Sequence, residues 1–326
     1  MSHALFAEKT GYYTNHITTV GRRGDFSTSA TVDTLLGRAI ANWISSHPTI
    51  KTVIEIGAGD GSLMQSVRNQ LGWWERKKRH WLMVEKSPVL AALQQQKLGK
   101  AVRWMDSIET ALQAGDGESL IYHNELVDAF PVKWLQWNSI DNRWDEVFLI
   151  KEEGRQWKEQ FQKAENLDET RFTALKHWRS DSPPPHPSQR VALHASYDQW
   201  LASWAPHWKQ GAMLTMDYGD IFPGLYYRRP SGTVRAYWRH QMITGQQIYE
   251  RMGQQDITTD VNFTDLKNWG QMLNWETVRL ITQSEFLAPL LTGREPNPAE
   301  AFLMDENGAG SAFKVLEQRP LQSNSR

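Results

Sequence analysis

The side chains best able to do chemistry in this chain gather at the ends of short apolar runs. The run Thr52-Val53-Ile54-Glu55-Ile56 stops at Gly57-Ala58-Gly59-Asp60-Gly61, after which Leu63, Val67 and Leu71 mark one face of a helix. Strand, glycine turn and helix make the opening unit of a doubly wound α/β domain. Glycine there lets the backbone take positive φ or lie directly against a ligand. A second run, 80–84, ends in Glu85, a carboxylate placed to accept hydrogen bonds from both hydroxyls of a ribose. A third, 101–105, ends at Asp106-Ser107, where a carboxylate can accept from an adenine amino group. A fourth, 119–123, ends at Asn124-Glu125. All these positions fall at the carboxyl edge of a parallel sheet, where open α/β sheets bind ligands. The chemistry they indicate is the holding of a nucleoside-bearing cofactor. Plainer readings stand beside it: a glycine-rich turn serving packing, Glu85 as a charge ahead of a helix opened by Ser87-Pro88, and Asp106 as a cap.

Spacing narrows the cofactor. A dinucleotide-binding loop places a third glycine by the pattern Gly-x-Gly-x-x-Gly, and that position is Ser62. Gly-x-Gly-x-Gly, with Glu55 two residues before Gly57, instead resembles the first motif of class I S-adenosylmethionine-dependent methyltransferases.

The elements that must position these residues follow from periodicity. Apolar residues at 35, 36, 39, 40, 43 and 44 predict an amphipathic helix ahead of the first strand. The α/β core is expected over about 51–130. Segments 133–137 and 144–150 read as a β-hairpin, 151–180 as polar and partly helical, and 183–187 as a proline loop. A helix with an aromatic face is expected over 191–208, then a fifth buried strand at 212–216 ending in Asp217-Tyr218-Gly219. Residues 220–270 read as loop-rich and polar. The arginines clustered there, Arg228, Arg229, Arg235 and Arg239, form either a solvated surface or a lid or acidic-partner contact. Strands at 276–281 and 313–318, with a helix from Ser284 between them, complete the sheet. The organisation expected is an N-terminal cover segment and helix over 1–50. A single catalytic domain over 51–326 follows, with insertions at about 131–190 and 220–270.

Composition removes several function classes. A net charge of −1 gives no general reason to bind nucleic acid or an anionic membrane. No apolar run approaches a bilayer span. The first ten residues show neither a secretory nor a mitochondrial targeting pattern, so a cytoplasmic location is expected. With no cysteine and no zinc-like histidine spacing, disulfides, thiolate chemistry and a metal site are not expected. The 16 tryptophans mostly fill cores, with an aromatic cage for a cation as the sharper alternative.

Over most of its length the chain resembles the MidA family of class I methyltransferases, whose members include the mitochondrial complex I assembly methyltransferase of eukaryotes. The matching segments are Tyr12-Tyr13, Gly24-Asp25-Phe26-x-Thr28-Ser29, the glycine loop from Glu55 to Leu63, and Val84-Glu85-Lys86-Ser87-Pro88. The most specific is Asn124-Glu125-Leu126-Val127-Asp128-Ala129-Phe130-Pro131, similar to the family's Asn-Glu-x-x-Asp-Ala-x-Pro signature. Met216-Asp217-Tyr218-Gly219, Val234-Arg235-Ala236-Tyr237 and Thr259-Asp260-Val261-Asn262-Phe263 follow in family order. One departure stands out: where the family has Pro-Glu after Thr28-Ser29, this chain has Ala30-Thr31.

The resemblance implies a Rossmann-like, mostly parallel seven-stranded sheet and S-adenosyl-L-methionine as cofactor. The cofactor would be held by Gly57, Ala58, Gly59, Gly61, Glu85, Lys86, Asp106, Ser107, Asn124 and Glu125, with Asp25, Phe26 and Thr28 from an N-terminal segment folding over it. A plain stabilising strap is the alternative for that segment. The resemblance also implies a protein substrate methylated on arginine. A guanidinium stays protonated at physiological pH, so carboxylates must orient it and stabilise charge as a proton leaves. Glu125 and Asp128, three apart and sharing a face if their segment turns helically, are the expected catalytic pair. Two alternatives remain: a small-molecule N- or O-methyltransferase on the same fold, and an inactive cofactor-binding assembly factor.

Overall fold

The computed structural model describes residues 1–17, 33–151, 157–179, 184–239 and 241–321. Its strands, in chain order, are β1 (Thr52–Ile56), β2 (His80–Val84), β3 (Arg103–Met105), β4 (Glu118–Asn124), β5 (Lys133–Asn138), β6 (Arg143–Lys151), β7 (Trp157–Lys163), β8 (Arg190–Leu193), β9 (Gln210–Asp220), β10 (Arg235–Trp238), β11 (Gln241–Ile243), β12 (Asp256–Thr258), β13 (Val261–Asn262), β14 (Trp275–Thr282) and β15 (Phe313–Pro320).

The main sheet runs in the order β14-β15-β9-β4-β1-β2-β3, with the short β13 pairing beside β9. Strands β3, β2, β1, β4 and β9 are parallel, and β15 is antiparallel to both its neighbours. This is the mostly parallel, seven-stranded path expected. β1 is buried along its whole length, as a central strand with helices on both faces must be. Its alternate residues feed two cores. Val53 packs with Trp81, Met83, Leu120 and Tyr122, while Ile54 and Ile56 pack with Leu82, Val84 and Ile121 on the other face. The amphipathic helix forms as Leu35–Ser45 and buries Leu36, Ile40 and Ile44 against Leu63, Met64 and Val67. The Asp33 carboxylate starts it by accepting from the Leu35 N–H at 2.7 Å.

Two smaller antiparallel sheets stand off this path: β7-β6-β5-β8 and β11-β10-β12. They correct the sequence reading at three places. The helix expected over 191–208 is β8 followed by a helix at Ala195–Trp204, because Val191, Ala192 and Leu193 pair with β5. Among the described residues, the partly helical segment 151–180 contains β7, a short 3-10 turn at Glu169–Arg171 and a helix at Thr173–Arg179. The loop-rich stretch 220–270 contains β10–β12 and a helix at Phe263–Met272. At β8 a long-range pairing overrides a weak local pattern, while β7 and β11 pair with the strands just before them.

Candidate functional site

The carboxyl edge of the parallel strands borders a cleft of about 960 Å³. One end of it is the glycine turn after β1. Gly57 and Gly59 have φ of +65° and +53°, conformations that side chains rarely tolerate. A Cβ on Gly57 would lie 2.7 Å from Leu126 Cδ1, so the turn and the loop after β4 share one narrow seam. Gly57, Ala58 and Gly59 line the cleft. Gly61 does not; with φ +80° it starts the helix Ser62–Gln70.

Glu85 and Lys86 line the same end. The Glu85 carboxylate accepts from the Ser87 N–H at 2.9 Å and from Gln94 Nε2 at 3.1 Å, and Gln94 Nε2 also donates to the Gly59 carbonyl at 2.8 Å. Gln94 therefore ties the glycine turn to the end of β2. Burial pushes the Glu85 carboxyl up, and these donors partly offset it. Glu55 sits beneath the turn, 2% exposed, with the Tyr122 hydroxyl donating to it at 3.1 Å. Burial raises its carboxyl to about 8.

Asp106 and Ser107 do not border the cleft. Ser107 caps the helix Ile108–Ala114: its Oγ accepts from the Thr110 N–H, and Thr110 Oγ1 accepts from the Ser107 N–H. The cap expected of Asp106 is supplied by Ser107 instead, and the Asp106 side chain is exposed. Asp25, Phe26 and Thr28, like Ala30 and Thr31, lie outside the described residues. The described part of the N-terminus does reach the site. Phe6, Tyr13 and Ile17 line the cleft, Phe6 and Tyr13 stack at 5.6 Å, and Ser87 Oγ donates to the Tyr13 carbonyl at 2.6 Å.

The other end of the cleft is built on the segment after β4. Asn124, Glu125 and Asp128 all line it. Asn124 Nδ2 donates to the Glu125 carboxylate at 2.9 Å. Glu125 and Asp128 do come together on one wall, but not on a helical face as expected. Glu125 takes φ +53° and the segment is an irregular turn. Asp217, near the end of β9, pins this turn: its Oδ2 accepts from the backbone N–H of Leu126, Val127 and Asp128 at 3.2, 2.9 and 3.3 Å. Burial, with Asp128 and Glu125 nearby, drives the Asp217 carboxyl well above its usual range, against those donors.

Asp128 is 6% exposed. Its Oδ2 accepts from Thr258 Oγ1 at 2.6 Å and from the Tyr218 hydroxyl, while Oδ1 is enclosed and has no side-chain partner among the described residues. Burial raises the Asp128 carboxyl, opposed by Thr258, Tyr218 and the Arg235 charge. Arg235 lies 4.7 Å over the Tyr218 ring and, with Arg229, donates to Asp260. Arg228 donates to Asp220 at 2.7 Å, and Arg239 lies over Trp238. The arginine cluster is thus held by carboxylates and rings, and only Arg235 of the four lines the cleft. Asp256 on β12 accepts from the Tyr13 hydroxyl at 2.9 Å and also lines it. Tyr13, Tyr218 and Arg235 lie in segments that carried the family resemblance, but their side chains gave no sign of a role. Asp256, Thr258 and Gln94 gave no signal at all.

Residues 35–281 match a family of S-adenosyl-L-methionine-dependent methyltransferases. The mitochondrial protein arginine methyltransferase NDUFAF7 of Xenopus tropicalis is 25% identical over 327 residues, covering 88% of this chain and 70% of that protein. The Caenorhabditis elegans homologue is 25% identical over 297 residues, covering 81% of this chain and 65% of its own length. The chain therefore spans about two thirds of these relatives. A Burkholderia thailandensis protein crystallised with S-adenosyl-homocysteine superposes with a TM-score of 0.83 at 22% identity, covering 97% of this chain and 85% of that one. A native crystal structure from the same organism gives 0.78 at 21% identity, with the same coverage. The fold agrees throughout, the family match covers most of the chain, and the glycine turn and Glu85 stand together at the cleft. The chain belongs to the S-adenosyl-L-methionine-dependent methyltransferases of the MidA family.

Proposed function

We propose that this chain methylates the side chain of a protein arginine, using the Glu125–Asp128 end of the cleft to receive the guanidinium. The observation that carries the reading is Asp128. It is a buried carboxylate in a residue that lines the same cleft as the glycine turn, with one oxygen clamped by Tyr218 and Thr258 and the other enclosed and, among the described residues, without a side-chain partner. The 25%-identical relatives are named as protein arginine methyltransferases, which supports the same substrate class.

The residues present fit S-adenosylmethionine. Gly57 and Gly59 supply the positive-φ turn that admits a close approach, and Glu85 at the end of β2 is placed to accept from ribose hydroxyls. When bound, the cofactor supplies a methyl group already activated by a sulfonium. The chain's own residues do the rest. Glu125, Asp128 and Asp256 give this wall a negative character that suits a cation, and charge-assisted hydrogen bonds to a carboxylate orient a guanidinium fork. Phe6, Phe130 and Trp200 line the cleft and exclude water from it. Asp128, destabilised as an anion by burial, is suited to take a proton as the nitrogen loses it.

The test is incubation with methyl-labelled cofactor and an extract of the host cell, followed by acid hydrolysis of the labelled fraction. Label recovered as methylarginine supports the proposal. Label in a metabolite places the chain among small-molecule methyltransferases. Tight cofactor binding with no label transferred favours the assembly-factor reading.

A further inference from the structure

The segment between the glycine-turn helix and β2 is absorbed by neither the fold's core nor the site. Trp73–Lys78 is a short helix that buries none of its residues. Trp73 is 50% and Trp74 71% exposed, packed edge to face at 4.4 Å. Neither lines the cleft.

The helix is nevertheless held firmly. The Arg76 carbonyl accepts from Trp81 Nε1 at 3.0 Å. Arg79, just beyond the helix, is buried, donates to the carbonyls of Ile44, His47 and Ile50, and binds Glu75. The indoles therefore stand on an anchored platform and are not the tip of a loose loop.

The platform is positively charged. Its one carboxylate, Glu75, is taken by Arg79, leaving Arg76, Lys77 and Lys78. Lys77 Nζ lies 4.2 Å over the Trp73 ring. Lys51 and Arg103 add charge at the starts of the neighbouring strands, where β2 begins beside β1 and β3. Among the described residues, none of these five cations is paired with a carboxylate. Burial and the nearby Arg76 charge both lower the Arg68 guanidinium, a sign of mutual repulsion at this end of the sheet.

We propose that this end of the molecule docks on the surface of an anionic lipid bilayer. Paired indoles flanked by lysines suit the boundary between headgroups and acyl chains. The ring body enters the apolar layer, while the lysine stems reach back to the phosphates. Two exposed indoles beside lysines that no carboxylate neutralises suit an acceptor with an apolar layer under a sheet of phosphates. The whole-chain charge of −1 does not oppose this, because attraction to a surface falls off within about 10 Å and is set locally. By topology the platform precedes β2 at its amino end, while the cleft lies at the carboxyl end. Docking here leaves the cleft facing away from the bilayer.

The test is co-sedimentation of the full chain with vesicles of phosphatidylcholine alone, and with equal parts phosphatidylcholine and phosphatidylglycerol, at low and at high salt. The expected result is binding to the mixed vesicles only, weakened by salt. Trp73→Ser with Trp74→Ser should reduce it about tenfold or more, and Lys77→Gln with Lys78→Gln about fivefold for each charge removed. S-adenosylhomocysteine binding should be unchanged in both, since neither pair touches the cleft. If the tryptophan variant does not fold, the lysine variant and the salt series still decide. Absence of binding, equal binding to both vesicle types, or retention by the charge variant would overturn the proposal. So would capture by polyglutamate or duplex DNA with no vesicle binding.

Discussion

Glu55→Gln is the substitution whose effect follows most directly from the geometry of the cofactor end. Glu55 is almost wholly enclosed, and burial holds its carboxyl at about 8 against an ordinary 4.5. A carboxyl whose folded pKa lies above its unfolded one binds its proton more tightly in the folded chain. Below about 4.5 both states are protonated and Glu55 carries no penalty. Between 4.5 and about 8 the unfolded chain ionises first and stability falls; above 8 the loss is complete. At about 1.4 kcal/mol for each tenfold change in proton affinity, the loss reaches at most about 5 kcal/mol. Glutamine keeps the shape and can accept from Tyr122, but it has no proton to lose. Asp128 and Asp217 are also raised by burial, so the wild-type curve is a composite. The difference between the two proteins isolates Glu55. Urea unfolding from acid to mildly alkaline pH should show that the variant gains nothing near pH 4.5 and gains up to several kcal/mol near pH 8. Parallel curves across that window would refute the assignment.

Replacing Glu85 by alanine should weaken S-adenosylhomocysteine binding by about 1–3 kcal/mol, the range for hydrogen bonds to a charged group; an unchanged dissociation constant by calorimetry would remove it from the ribose site. Asp128→Asn keeps an oxygen for Tyr218 and Thr258 and removes the buried charge. Methyl transfer should fall by about 10²-fold or more, with cofactor affinity nearly intact; wild-type turnover would take Asp128 out of the chemistry.

The cofactor end was largely legible in the sequence because its signals are local. A β-branched run, a glycine pattern and an acid at the next strand end all lie within some 35 residues of one another, and each follows from strand periodicity and backbone sterics. Lys86, Asn124 and Glu125 came with that frame. Asp106 shows its limit, since a strand end predicts where a side chain starts and not which way it turns. The acceptor end was legible only in part. Asp128 was found, but its setting depends on Asp217, 89 residues away, and on Thr258, 130 away. No local pattern encodes a hydrogen bond across such distances. The same holds for β8, whose partner β5 lies far back along the chain, and for Tyr13, joined to Asp256 across 243 residues.

The order of the main sheet bears on how the chain is made. β4 lies between β1 and β9, and the segment 125–209, which carries β5–β8, is synthesised between β4 and β9. A chain emerging from the ribosome can assemble β1, β2, β3 and β4 early, but until β9 arrives one side of β4 keeps unpaired backbone groups beside Leu120, Ile121 and Tyr122, all fully buried in the finished fold. Such an edge is a template for pairing with another chain. Fragments that end within 125–209 should therefore aggregate even though the glycine turn and Glu85 are already present in them. A chain ending at Asp220 only moves that open edge to β9, whose far side stays unpaired until β15 is made.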